Sequence, residues 1–71
     1  MVELTERECE VMNLLVLGKS NKEISKELII TPHTVKAHLD TVYRKLNVHN
    51  RVQATIVYLS KISGNINTIH L

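Results

Sequence analysis

Residues 20–40 have the sequence SNKEISKELIITPHTVKAHLD, and this stretch decides how the fold is interpreted. It holds two signals for the start of a helix. Ser20 and Glu23 have the spacing of a capping box, and Thr31 precedes Pro32, a residue favoured at the first helical position. The stretch therefore predicts two short helices joined by a tight turn, which is the arrangement of a helix-turn-helix.

The second of these helices, predicted at about residues 32–46, has one apolar side and one side of small or polar residues. The apolar side repeats at helical spacing and comprises Val35, Leu39, Val42 and Leu46. At about 100° per residue, the opposite side comprises His33, Lys36, Ala37, Asp40 and Arg44, with Thr41 at its margin. A helix-turn-helix lays this side of its second helix in the major groove of DNA. An ordinary solvated helix face has the same pattern, so the side alone does not decide between the two.

The residue types on this side suggest specific contacts with DNA. Lys36 can donate hydrogen bonds to guanine O6 or N7, and Ala37 can touch a thymine methyl group. The hydroxyls of Thr31 and Thr34, at the start of the helix, can bind phosphates together with the free N–H groups of the helix N terminus.

Asp40 is the exception on this side, because phosphates repel a carboxylate. It can accept a hydrogen bond from cytosine N4 and so act as a base contact. It can also form an ion pair with Arg44, four residues later. We expect the ion pair, which would direct Arg44 towards the DNA backbone.

Two further helices are predicted outside this unit. Thr5 and Glu8 form another capping box, and the helix that begins there is expected to end at Gly18. Asn50 can cap a fourth helix that runs to about residue 63, with Gln53 in the capping-box position. The Leu-Ile-Ile segment at 28–30 is too apolar for an exposed loop, so we expect it to tuck under the domain.

The sequence therefore predicts an all-α, four-helix helix-turn-helix bundle. We place this domain at residues 1–64, with Gly64 ending the fourth helix, and a loosely ordered tail at residues 65–71. No repeat or linker interrupts the domain.

Composition restricts the classes of function. The chain has 71 residues, no run of about 18 apolar residues that would span a membrane, and no signal-peptide pattern. Its single cysteine, Cys9, favours a reduced, cytoplasmic setting. The four histidines do not group, and glycine-rich phosphate loops are absent from the sequence. We therefore expect no metal, no cofactor and no catalytic site.

Charge is distributed unevenly along the chain, whose net charge is +2. Residues 1–18 carry four glutamates against one arginine, a net charge of −3, whereas residues 19–51 carry seven lysines and arginines against three acids, a net charge of +4. A basic face on a helical domain is typical of a polyanion-binding protein.

The fourth helix has a second apolar stripe besides the one assigned to the core. This stripe is formed by Val52, Ile56 and Leu59. A chain of this size has little left inside for the stripe to pack on, so we expect it to be a dimer interface. The alternative is that the tail folds back over it through Ile66, Ile69 and Leu71.

From Leu4 to Ala54 the chain resembles the DNA-binding domain of LuxR/FixJ/NarL-type regulators. The blocks LTERE, GxSNKEI, TVKxH and KLxVxNRxxA occur in order and with the spacing of that family. The family is a four-helix bundle whose third helix reads the major groove. Its members regulate transcription, usually as dimers, and are most often output domains of response regulators or of ligand-sensing regulators.

The resemblance implies roles for individual residues. It places Lys36 and the residues at positions 37 and 40 at base edges, and it places Lys22, Thr31 and Thr34 near phosphates. Asp40 departs from the basic or polar residue common at its position. Asn47 stands where relatives usually have glycine, and asparagine also suits the left-handed conformation of a helix C-cap. The implied partners are double-stranded DNA, a second copy of the chain and, as a further candidate, RNA polymerase.

Two other functions fit parts of the pattern. A promoter-reading domain of the sigma-factor region 4 type also uses capped helices and a similar recognition helix, although the KLNVHNR turn and the long fourth helix speak against it. A protein-interaction module would use the fourth helix as its working surface, and its basic face would be incidental.

Overall fold

The computed structural model describes residues 3–63, which fold into four α-helices: α1 (Glu6–Leu15), α2 (Asn21–Leu28), α3 (Pro32–Leu46) and α4 (Arg51–Ser63). The described residues contain no strand. The all-α, four-helix prediction is therefore confirmed, and α3 coincides with the predicted second helix of the motif. Gly64 and the tail at 65–71 lie outside the described residues.

Side-chain caps begin the helices where the sequence predicts them. Thr5 Oγ1 accepts from the Glu8 N–H at 3.1 Å, and Glu8 Oε1 accepts from the Thr5 N–H at 2.9 Å. The same reciprocal pair joins Ser20 and Glu23, at 3.1 and 2.8 Å. The hydrogen bond from the Ser20 N–H holds the pKa of Glu23 below its ordinary value.

The caps of α3 and α4 use the predicted residues with one difference. Thr31 Oγ1 accepts from the Thr34 N–H at 3.1 Å, and Asn50 Oδ1 accepts from the Gln53 N–H at 2.9 Å. The Gln53 side chain, however, accepts from the His49 N–H at 2.8 Å rather than from Asn50. The return bond of this last cap therefore reaches one residue further back.

Apart from Tyr58, the core is formed by non-aromatic side chains, and it is centred on α3, which packs against each of the other three helices. Its buried hydrophobic residues are Val11, Met12, Leu15, Ile24, Val35, Leu39, Val42, Val48, Ala54 and Tyr58. Burying each large side chain contributes roughly 1.5–3 kcal/mol. The predicted inward stripe of α3 is confirmed for its first three members, and Leu46 is half-buried against the core.

Helix α1 runs to Leu15, and a capping turn at residues 16–18 follows it. The chain then turns, and the Gly18 N–H donates to Leu15 O at 2.9 Å. Gly18 has φ +89°, in the left-handed region that only glycine enters at low cost. The Lys19 N–H donates to Leu14 O at 3.2 Å, and together with the Gly18 bond this forms a Schellman motif. Gly18 therefore stops the helix, as the sequence predicts.

The expectation that residues 28–30 tuck under the domain is wrong for the middle residue. Leu28 and Ile30 pack against the core, but Ile29 is 89% exposed. Ile29 is the C-cap of α2 and has φ 56° and ψ 50°. This left-handed residue reverses the direction of the chain, so its neighbours face inward and its own side chain faces water. Asn47 ends α3 in the same conformation, as the sequence predicts.

Long-range contacts made by three side chains join α1, α4 and the helix-turn-helix to one another. Lys45 Nζ lies 2.8 Å from Glu8 Oε1. The Tyr58 hydroxyl, in α4, donates to Asn13 Oδ1 at 2.6 Å. Arg51, the first residue of α4, donates to Lys19 O at 3.1 Å and to Asn21 Oδ1 at 3.2 Å. These contacts set the orientation of the face that α3 presents.

Candidate nucleic-acid interface

The predicted outer side of α3 is open to solvent. His33, Lys36, Ala37, Asp40 and Arg44 are all exposed, and Thr41 at the margin is half-buried. On the other side of the helix, Val35 and Val42 are completely buried. The helix is therefore anchored through one side and leaves a polar side without large apolar groups, as the sequence predicts.

Asp40 pairs with Lys36, so the expected ion pair with Arg44 is wrong. Lys36 Nζ lies 3.3 Å from Asp40 Oδ2, whereas Arg44 Nη2 donates to Thr41 Oγ1 at 3.5 Å. Arg44 thus bonds a hydroxyl one turn earlier instead of the carboxylate. Lys36 and Arg44 both lie four residues from Asp40, so spacing alone does not decide between the two partners.

The Lys36–Asp40 pair is accessible to a ligand. The two side chains are 66% and 53% exposed. Ion pairs this exposed typically contribute about 0–1 kcal/mol. The pair therefore orients the two side chains, and both can still form hydrogen bonds with a ligand. Ala37, between them on the same side, adds no bulk.

The start of α3 presents two threonine hydroxyls. Thr31 Oγ1 and Thr34 Oγ1 lie 2.9 Å apart and share a hydrogen bond. Because that bond uses one of the two hydroxyl hydrogens, the other hydrogen is available for an anion. Thr31 is exposed and Thr34 is half-buried, while Lys22, in the first turn of α2, is exposed. The structure thus leaves these three predicted phosphate-binding side chains at least partly accessible, as it does the fourth, Arg44.

Helix α4 carries an exposed apolar stripe opposite its core side. Val52, Ile56 and Leu59 are 67%, 62% and 42% exposed. Ile62, which was not predicted, is 57% exposed and lies at the edge of the stripe, one turn after Leu59. Its spacing of three residues from Leu59 is a signal that the sequence already contained. On the core side, Ala54 and Tyr58 are buried.

Arg51 positions α4 against the start of α2, a role that the sequence did not predict. Its guanidinium spans the backbone of Lys19 and the side chain of Asn21, and so joins α4 to the start of α2. The only signal in the sequence was its place in the block KLxVxNRxxA.

The described residues contain neither a metal-ligand cluster nor a membrane-spanning helix. Within 3–63, no group of three His, Cys, Asp or Glu side chains is placed to hold a metal ion. None of the four described helices has the length and apolar character needed to cross a bilayer.

Two short capped helices joined by a tight turn, the second with a bare polar outer side, have the arrangement of a helix-turn-helix DNA-binding domain. Residues 2–58 match the family described as bacterial regulatory proteins of the luxR family, and the chain belongs to this family. The predicted resemblance is thereby confirmed. The matching family is one of regulatory proteins and not a class of enzymes.

Relatives include bacterial response regulators. The nitrate/nitrite response regulator protein NarP of Escherichia coli (strain K12) is 50% identical over 58 residues, which are 82% of this chain and 27% of NarP. The transcriptional regulatory protein LiaR of Bacillus subtilis (strain 168) is 49% identical over 53 residues, which are 75% of this chain and 25% of LiaR.

A solved structure has the same fold. The crystal structure of the response regulator ChrA, from a heme-sensing two-component system, matches with a TM-score of 0.81 and 36% identity, over 86% of this chain and 30% of ChrA. The chain therefore spans less than a third of the length of each of these relatives.

Proposed function

We propose that this domain binds double-stranded DNA sequence-specifically, with α3 in the major groove, and thereby regulates transcription. The observation that carries the proposal is the bare outer side of α3, where Lys36, Ala37 and Asp40 are exposed above a completely buried Val35. These three residues are the proposed base contacts. An ammonium, a methyl group and a carboxylate match guanine acceptors, the thymine methyl and the cytosine amino group.

Phosphate contacts would fix the register of this helix on the duplex. We assign them to Lys22, Thr31, Thr34 and Arg44. The free hydroxyl hydrogen of the Thr31–Thr34 pair and the N terminus of α3 lie together, which supports an anion site at this end. The Arg44 side chain is held by Thr41 and not, as expected, by Asp40.

Dimerisation through α4 is the second part of the proposal. The exposed stripe of Val52, Ile56 and Leu59 lies on the helix side opposite Ala54 and Tyr58, and Ile62 lies at its edge. Four side chains on one helix form a patch smaller than the roughly 800 Å² per partner of a stable interface. We therefore place the dimer on DNA, where two half-sites bring the copies together.

The wider context of the domain is proposed from its relatives. Because NarP and ChrA are response regulators, we propose that residues 1–64 act as the output domain of such a regulator, in the cytoplasm, with RNA polymerase as a further partner. The luxR family match favours this assignment over a sigma-factor domain.

Selection of binding sites from a random pool of duplexes tests the proposal. We expect enrichment of a defined sequence and a steep loss of affinity between two salt concentrations, because phosphate neutralisation releases counterions. Absence of binding to any duplex at low salt would refute the proposal. It would leave the alternative, a protein-interaction module that works through α4.

A further inference from the structure

The Lys36–Asp40 pair places a donor and an acceptor side by side on the face proposed to meet DNA. The ammonium nitrogen and carboxylate oxygen are 3.3 Å apart, and both side chains are more than half exposed. Lys36 and Asp40 are four positions apart on one helix, so their side chains project from adjacent turns on the same side. The two groups can therefore approach a ligand as a unit.

A base pair presents the complementary arrangement in the major groove. In a G·C pair, guanine O6 is an acceptor and cytosine N4 is a donor. These two atoms are hydrogen-bonded to each other, which places them about 2.9 Å apart. This spacing is close to the 3.3 Å between Lys36 Nζ and Asp40 Oδ2. When the two side chains face this edge of the base pair, the Lys36 ammonium donates to guanine O6 and the Asp40 carboxylate accepts from the cytosine N4 amino group.

The largest number of hydrogen-bonding groups is satisfied when guanine lies on the Lys36 side and cytosine lies on the Asp40 side. Guanine N7 is a second acceptor, and it lies on the Lys36 side of O6. A T·A pair also offers an acceptor beside a donor, thymine O4 beside adenine N6. There, however, adenine N7 would face the Asp40 carboxylate, and the thymine methyl would lie on the lysine side. In the reversed pairs, C·G and A·T, the Lys36 ammonium would face a donor and the Asp40 carboxylate would face an acceptor.

The same pairing accounts for a carboxylate on a surface that faces phosphates. Alone in the groove, Asp40 would lose water and face negative potential. Between the Lys36 ammonium and a cytosine amino group, it keeps a cation and a hydrogen-bond donor.

We infer that Asp40 is a specificity-determining residue and that it reads one G·C base pair jointly with Lys36. This inference rests on the proposed DNA binding. It differs from two independent base contacts, because loss of either residue removes recognition of the same base pair. Bidentate recognition discriminates against a wrong base by roughly 5- to 150-fold.

The experiment uses a duplex selected by the unmodified chain, with each base pair replaced in turn. Binding is measured for the unmodified chain and for Asp40→Ala, Lys36→Ala and the double variant. We expect both single variants to lose discrimination at one shared G·C pair, and the double variant to lose little more. Replacing the cytosine of that pair by 2-pyrimidinone, which lacks the amino group, should weaken the unmodified chain but leave Asp40→Ala unaffected.

Glu27→Ala is the matched control, because Glu27 is also an exposed acid of the helix-turn-helix but lies on α2. It changes the net charge equally and should alter affinity for all duplexes by the same small factor. If Asp40→Ala behaves like Glu27→Ala, with base preferences intact, Asp40 is only a repelled surface acid and the inference is overturned. Loss at two different base pairs, or selected duplexes without a fixed G·C pair, also overturns it. An unmodified chain that binds no duplex instead refutes the proposed function.

Discussion

Lys45 Nζ lies 2.8 Å from Glu8 Oε1, and this ion pair joins the end of α3 to the start of α1. The same Glu8 oxygen accepts from the Thr5 N–H at 2.9 Å. The Glu8 side chain is 7% exposed and that of Lys45 is 25% exposed. A single carboxylate thus caps α1 and binds the helix that carries the proposed DNA contacts.

The pKa of Glu8 lies below its ordinary value. Burial of the carboxyl group would raise the pKa, but the hydrogen bond and positive charge of Lys45, together with the Thr5 N–H, outweigh burial. Because the folded-state pKa is depressed, this group stabilises the fold above its unfolded pKa. The contribution is lost as the pH falls through the folded pKa.

Glu8→Gln should destabilise the domain by about 1–3 kcal/mol at pH 7, because it breaks a charge-assisted hydrogen bond of a buried group. Below about pH 4.5 the difference from the unmodified chain should shrink, since Glu8 is then increasingly protonated in the unfolded state. Urea unfolding at several pH values measures both effects. Glu10→Gln is the control, because Glu10 forms an exposed pair with Arg7, and it should change stability by less than about 0.5 kcal/mol. Equal effects of the two variants would contradict the assignment.

Ile29→Asn should stabilise the domain, although it replaces an apolar residue. Ile29 has φ 56° and is 89% exposed, so its side chain gains little from packing while its backbone is strained. Asparagine tolerates the left-handed conformation better, and relief of this strain is worth about 0.5–1 kcal/mol. Thermal unfolding should show a rise in Tm of roughly 2–8 °C. Ile30→Asn, at a residue packed on the core, should lower Tm. A decrease for both variants would show that Ile29 is not strained.

The sequence predicted those features that depend on neighbouring residues. The capping residues Thr5, Ser20, Thr31 and Asn50 each act within one helical turn, so their patterns are sufficient to locate the helix starts. The buried side of α3 follows from its period. Ile29 was predicted wrongly because hydrophobicity alone does not report that a left-handed C-cap turns one residue outward.

Contacts across the fold could not be predicted in the same way. Lys45 and Glu8 are 37 residues apart, and Arg51 and Lys19 are 32 apart, so nothing local pairs them. The partner of Asp40 was also predicted wrongly. Lys36 and Arg44 both lie four residues from Asp40, and spacing alone does not choose between them.

Ile56→Gln should weaken cooperative binding to two half-sites without affecting binding to one. Ile56 is 62% exposed, and in a two-fold interface its burial occurs in both copies. Loss of about 2 kcal/mol across the pair would reduce cooperativity roughly 30-fold. Titrations of duplexes with one and with two half-sites measure this difference. Leu17→Gln is the control, since Leu17 is 72% exposed but lies outside α4. Unchanged cooperativity in Ile56→Gln would exclude this stripe as the dimer interface.

Lys36→Ala and Lys22→Ala should affect DNA binding in different ways, because one lysine is assigned to a base and the other to a phosphate. Lys36→Ala should cost about 1–3 kcal/mol on the selected duplex and relax specificity at one base pair. Lys22→Ala should weaken all duplexes similarly and reduce the slope of log affinity against log salt by about 1. Lys61→Ala, an exposed lysine of α4, should do neither. If Lys36→Ala weakened every duplex equally and left base preferences intact, Lys36 would be a phosphate contact. The bare side of α3 would then face the backbone rather than the base edges.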